Sequence, residues 1–132
     1  IAPKSLPVRP TTDLAKESLF NILNNKIIFE DSAVLDLFSG TGNISFEFAS
    51  RGVKSIASVD AHYGCVQFIE KTSKQLDLSM TIIKADVYKY LLKTPQSFDV
   101  IFADPPYDFP SSELEEILRL LAQGNFLKKK AC

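Results

Sequence analysis

The sequence has only two cysteines and one histidine, Cys65, Cys132 and His62. The cysteines lie far apart, form no Cys-x-x-Cys pair and have no pair of histidines to join, so spacing argues against a disulfide framework or a zinc site and suits a reducing cytosol. An excess of charge of either sign is also missing. Lys plus Arg number 15 against 16 for Asp plus Glu, a formal net charge of -1 over 132 residues, so no basic surplus announces nucleic acid, although a local patch can still bind it. No uninterrupted apolar run approaches the roughly 20 residues that span a bilayer, and no apolar segment follows a basic start as in a secretory leader. Internal repeats and linker-like stretches are absent too. With 45% hydrophobic and 23% charged residues, disorder and low-complexity readings fall away. One soluble domain over residues 1–132 is expected, cytoplasmic, with no membrane and no metal.

Residues 1–11 carry three of the seven prolines with Lys4 and Arg9, and read as an extended basic lead-in. The chain starts at Ile1 without a methionine and stops shortly after the apolar pair Phe126 and Leu127, so it is expected to be a piece of a longer protein. Between these ends, strand and helix signals alternate. After Thr12, a candidate N-cap, residues 13–25 place Ala15, Leu19, Ile22 and Leu23 on one helical face. Short apolar runs at 33–38, 55–60, 80–85 and 98–103 read as buried strands. Helical patterns at 43–51, 63–77 and 87–93 separate them, and a last helix follows with Ser112 and Glu115 at capping-box spacing and a stripe of Leu114, Ile117, Leu118 and Leu121. Such alternation with near-continuous apolar strands predicts an α/β fold, a mostly parallel sheet with helices on both faces.

Ligands of open parallel sheets bind at the carboxyl ends of the strands, and each predicted strand has an aspartate there: Asp36, Asp60, Asp86 and Asp104. Any one of them alone is an ordinary turn or cap residue; four at one end point to a site. Asp36, Phe38, Gly40, Thr41 and Gly42 form a strand-to-loop passage in which the glycines allow close approach of backbone to ligand. Asp60 follows at the end of the second strand, where a carboxylate can take both hydroxyls of a ribose. These features alone fit a nicotinamide dinucleotide equally well. Two details divide the readings: the third glycine of that fingerprint is replaced by Ser45, and Asp36 lies where a pyrophosphate would be repelled. Acids around the loop suit a cofactor without phosphate that carries an ammonium and a sulfonium, S-adenosylmethionine. Asp86 and Val87 fit its adenine, a carboxylate accepting from the exocyclic amine and a backbone N–H donating to a ring nitrogen.

After the fourth strand comes Asp104-Pro105-Pro106-Tyr107. Two prolines end a strand well, but that does not account for the flanking Asp and Tyr. An exocyclic nucleobase amine is a poor nucleophile because its lone pair is delocalised into the ring. Donation from its two N–H groups to the Asp104 carboxylate and the Pro105 carbonyl draws it toward a pyramidal geometry, and Tyr107 can stack on the base. His62 reads as a neighbour of the cofactor pocket and Cys65 as core.

Residues 9–23, 36–52, 58–60, 85–88 and 98–107 together resemble the bacterial small-subunit ribosomal RNA guanine-N2 methyltransferases that act on guanine 966 of 16S rRNA. The resemblance implies a Rossmann-like S-adenosylmethionine-dependent methyltransferase fold, strand order 3-2-1-4, and ribosomal RNA within the small subunit or its assembly intermediate as partner. It implies that Asp36, Phe38, Gly40, Thr41, Gly42, Asp60, Asp86 and Val87 hold the cofactor and that Asp104, Pro105, Pro106 and Tyr107 act on the target base. Arg9, Thr11 and Thr12 would approach RNA. It further implies that about three strands follow the point where this chain stops, and that a short basic region precedes Pro3. N6-adenine methylation, a non-catalytic RNA-binding or assembly module of the same fold, and an NAD-dependent oxidoreductase are the alternatives left by the residues themselves.

Overall fold

The computed structural model describes residues 13–93 and 97–123. Its elements run α1 (Asp13–Asn24), a single 3-10 turn (Phe29–Asp31), β1 (Ala33–Leu37), α2 (Asn43–Ser50), β2 (Ser55–Asp60), α3 (Tyr63–Gln75), β3 (Thr81–Lys84), α4 (Val87–Lys93), β4 (Val100–Ala103) and α5 (Ser111–Gln123). The four strands form one parallel sheet in the order β3-β2-β1-β4, as expected, with Asp36 paired in register with Ser58 on one side and Phe102 on the other.

Alternation along the strands sorts the core into two layers. Leu35, Leu37, Ala57 and Val59 face α4 and α5, where they meet Val87, Leu91 and Ile117. Val34 and Ile56 face the other way, onto Phe20 of α1, Phe29 and Ile44 and Phe48 of α2. Phe48 is the centre of this second layer: its ring meets that of Phe20 edge-on at 4.7 Å, and Arg51 lies 4.7 Å over the Phe20 ring while its Nε donates to Glu47 Oε2 at 2.8 Å. Lys16 Nζ donates to Asn43 Oδ1 at 3.1 Å and pairs with Glu47, tying α1 to the start of α2.

Several local expectations are corrected. The buried residue of α1 is Phe20, whereas Ile22 is 55% exposed, because the face that meets Phe29 and Phe48 is rotated from the one the smaller apolar residues suggest. Ser112 falls inside the first turn of α5, whose first helical bond runs from the Leu114 amide to the Pro110 carbonyl, so it is not the cap. Leu118 of the expected stripe is exposed, and Leu120 joins Leu121 against the core instead. α3 ends at Gln75, since Asp77 takes the left-handed conformation at φ 55°. Asp99 joins the start of β4 to β1: its amide donates to the Ala33 carbonyl at 2.8 Å and its Oδ2 accepts from the Ala33 amide at 2.8 Å. Among the described residues, no helix is long and apolar enough to cross a membrane.

Candidate functional site

The carboxyl ends of β1, β2, β3 and β4 open into a cleft of about 390 Å³, within the roughly 300–1,000 Å³ that holds drug-sized ligands. The structure brings Asp36, Phe38, Gly40 and Thr41 to it from the first loop, Asp60 from β2, Asp86 and Val87 from the β3 end, and Asp104, Pro105 and Pro106 from the loop after β4. Five aspartates line it, the fifth being Asp108, and among the described residues no lysine or arginine does. His62 is the one basic side chain that the described residues bring to it.

The first loop is shaped by conformations few side chains tolerate. Phe38 has φ 58°, uncommon for a bulky residue and a mark of functional strain where it occurs. The turn ends β1 one residue before the predicted end and sets the Phe38 ring edge-on to Phe109 at 5.0 Å, so that both rings form one wall of the cleft. Gly42 has φ 85° and precedes α2; a Cβ there would meet Phe46 Cε2 at 2.9 Å and Ile69 Cγ1 at 3.0 Å. It lets α2 and α3 close behind the loop, and it is flanked by Thr41 and Asn43, which line the cleft, without being part of the lining itself.

Asp60 holds the loop in place. Its Oδ2 accepts from the Gly40 amide and its Oδ1 from the His62 amide, both at 2.8 Å. An ionised carboxylate offers about four lone-pair positions, so capacity remains for a ligand. His62 caps α3, its Nδ1 accepting from the Cys65 amide at 3.3 Å, which puts its ring proton on Nε2. Asp86 Oδ2 accepts from the Lys89 amide at 3.1 Å, capping α4 while facing the cleft.

Asp36 is buried, and Ser45 Oγ donates to its Oδ2 at 2.5 Å. Burial raises its carboxyl from 3.8 to about 7, against the lowering effect of the Ser45 bond, with Asp60 and Asp104 adding to the rise. Burial also pushes the Cys65 thiol up to about 11, with Asp60 contributing, so no thiolate nucleophile stands in the cleft at neutral pH.

The last predicted cluster divides. Pro105 is half-buried at the mouth with Asp104, but Tyr107 is 84% exposed and is not part of the cleft lining. The aromatic that this loop contributes to the cleft is Phe109, which sequence reading does not single out; its only signal is an aromatic two residues beyond the tyrosine. Arg9, Thr11 and Thr12 lie outside the described residues. No group of three His, Cys, Asp or Glu among the described residues is placed to hold a metal ion.

The family described as Conserved hypothetical protein 95 matches residues 1–132. Among curated relatives, Ribosomal RNA small subunit methyltransferase D of Buchnera aphidicola is 34% identical over 125 residues, covering 94% of this chain and 62% of the relative. The protein of the same name from Haemophilus influenzae is 35% identical over 131 residues, 94% of this chain and 65% of its own length. The chain thus spans somewhat under two thirds of these relatives. A solved structure from Escherichia coli, yhhF, provisionally called a methyltransferase, superposes with a TM-score of 0.81 at 28% identity over 96% of this chain and 70% of that one.

Proposed function

The chain belongs to the Conserved hypothetical protein 95 family, and from that membership we propose that it is the methyl-transferring part of a small-subunit ribosomal RNA methyltransferase. It takes a methyl group from S-adenosylmethionine to the exocyclic N2 amine of a guanine. The observation that carries this reading is a cleft lined, among the described residues, by five aspartates and no lysine or arginine, with Asp104, Pro105 and Pro106 in its lining. Such a lining disfavours a pyrophosphate and suits a cationic, phosphate-free ligand, which weighs against the dinucleotide alternative.

S-adenosylmethionine, when bound, supplies an electrophilic methyl on a sulfonium. Asp60 takes the ribose through the lone pairs its two backbone amides leave, Asp86 and the Val87 amide take the adenine edge, and the Phe38 and Phe109 wall shields the ring from water. Asp104 and the Pro105 carbonyl each accept one N–H of the guanine amine, freeing its lone pair for in-line attack. The N–C bond forms as the C–S bond breaks, and the surplus amine proton leaves afterwards to solvent. Pro105 and Pro106 have no N–H to compete for these acceptors. Tyr107, exposed at the mouth, meets the incoming base face on. The target lies in the small ribosomal subunit or its assembly intermediate, in the cytoplasm, with Arg9, Thr11 and Thr12 near the RNA, and the chain works as one domain.

The test is mass mapping of modified nucleosides in 16S rRNA from cells with and without the gene. Loss of one N2-methylguanine supports the reading. Loss of an N6-methyladenine moves the same chemistry to another base, and an unchanged map overturns ribosomal RNA methylation and favours an assembly role.

A further inference from the structure

Behind the cleft, three polar side chains stand in line with almost no exposure. Ser58 Oγ donates to Ser45 Oγ at 2.6 Å, and Ser45 Oγ donates to Asp36 Oδ2; Ser58 and Ser45 are 0% exposed and Asp36 is 1%. Alternation puts Asp36 and Ser58, neighbours in register, on the same sheet face as Val34 and Ile56, and Ser45 comes down on them from α2. Two residues earlier this face is apolar and packs against α2 without polar atoms, so packing alone does not call for a carboxyl group here. Because Ser45 accepts from Ser58, its own hydrogen is directed at Asp36. A buried carboxylate of this kind is normally paired with a cation, and among the described residues no lysine or arginine lines the cleft. Of the described charged groups, Asp60 from the end of β2 and Asp104 from the loop after β4 oppose its ionisation. Asp86 and Asp108 line the same cleft, and His62, its one basic side chain among the described residues, has Nδ1 engaged by the Cys65 amide.

We propose that Ser58 and Ser45 hold Asp36 as a proton-exchanging carboxyl group at the floor of the cleft, and that Asp36 gives up its proton when a cationic ligand enters. The inference rests on the S-adenosylmethionine reading above for the identity of that ligand. The carboxyl O–H bond breaks, the proton passes to solvent, and the resulting carboxylate meets the ligand's positive charge. Ser45 donates to Asp36 in both states, so Ser45 and Ser58 are positioning residues. Because burial raises the carboxyl to about 7, binding at neutral pH releases a fraction of a proton, rising toward one at lower pH and falling toward none at higher pH.

Calorimetric titration with S-adenosylmethionine, repeated in buffers of different ionisation enthalpy, reads that number directly. Asp36→Asn keeps an acceptor for Ser45 and should abolish the release. Ser45→Ala removes a bond that favours the carboxylate, so the release at pH 7 should grow toward one while affinity drops several-fold; Ser45→Thr should restore both. Ser58→Ala should shift the release in the same direction by less, and it serves if Ser45→Ala does not fold. Release that is nil from pH 6 to 7, or unchanged by Asp36→Asn, overturns the proposal. A protein that takes up no S-adenosylmethionine overturns the methyl-transfer reading instead. NMR titration of the Asp36 carboxyl carbon in the ligand-free protein then decides, a midpoint near 7 supporting the proton site and one near 4 sinking it.

Discussion

On the β1 and β2 side of the cleft the acids are tied down by the protein itself: Asp36 by Ser45, and Asp60 by the amides of Gly40 and His62. On the β4 side the chain runs from a half-buried Asp104 out to a Tyr107 that is 84% exposed. A small ligand needs a socket fixed before it arrives, because it brings little surface with which to organise one. A large polyanionic substrate supplies its own covering surface, so the residues that greet it can stand in water until it docks.

Variants that should break or sharpen this contrast can be ranked by size. Phe48→Ala opens the core behind the socket, where the ring touches Phe20 and sits under α2, and should cost about 3–5 kcal/mol of stability, read by urea denaturation; a loss below 1 kcal/mol would deny that this half is the rigid one. Asp104→Ala should cut methyl transfer by at least about 100-fold, comparable to removing one pre-aimed polar contact from an active site, while calorimetry finds cofactor affinity within a few-fold. Equal losses in both would make Asp104 a cofactor residue. Asp60→Ala removes the acceptor of two backbone amides and should weaken cofactor binding by about tenfold or more, since charge-assisted bonds contribute roughly 1.5–3 kcal/mol each; unchanged affinity would remove Asp60 from the ribose. Tyr107→Ala should leave stability within about 0.5 kcal/mol, as for an exposed residue, yet lower kcat/KM for RNA by about tenfold through lost stacking.

Strand positions were legible because each apolar run is short and stops at a glycine or an aspartate, and the four acids at the carboxyl ends marked the cleft before any coordinates. What escaped depends on tertiary contact. Phe20 outranks Ile22 because Phe29 and Phe48 lie on its side of the helix, which periodicity within α1 does not reveal. Phe109 becomes a wall only because Phe38 adopts a positive φ, and no local pattern announces that. At Gly42 the sequence marks a special backbone position, but the side chains of α2 and α3 that crowd a Cβ there come from distant segments and have no local signal. Asp36 was read as a charge near the loop, yet Ser45 and Ser58, which bury it in a polar line, look like ordinary small residues in the sequence.

The clasp between Asp99 and Ala33 has a consequence for the order in which the molecule assembles. It joins positions 66 apart, whereas Gly40 and Asp60, which frame the socket, are 20 apart. Closing the longer loop costs roughly 1 kcal/mol more chain entropy, and it also requires the intervening elements to be threaded into place, so β1, α2 and β2 can come together while β4 is still loose. The expected order is therefore the socket early in folding and the loop after β4 late. Pulsed hydrogen exchange during refolding should protect the amides of β2 before those of β4, and simultaneous protection would refute this sequence of events. A chain caught between the two stages would bind its small ligand and have nothing to give it to.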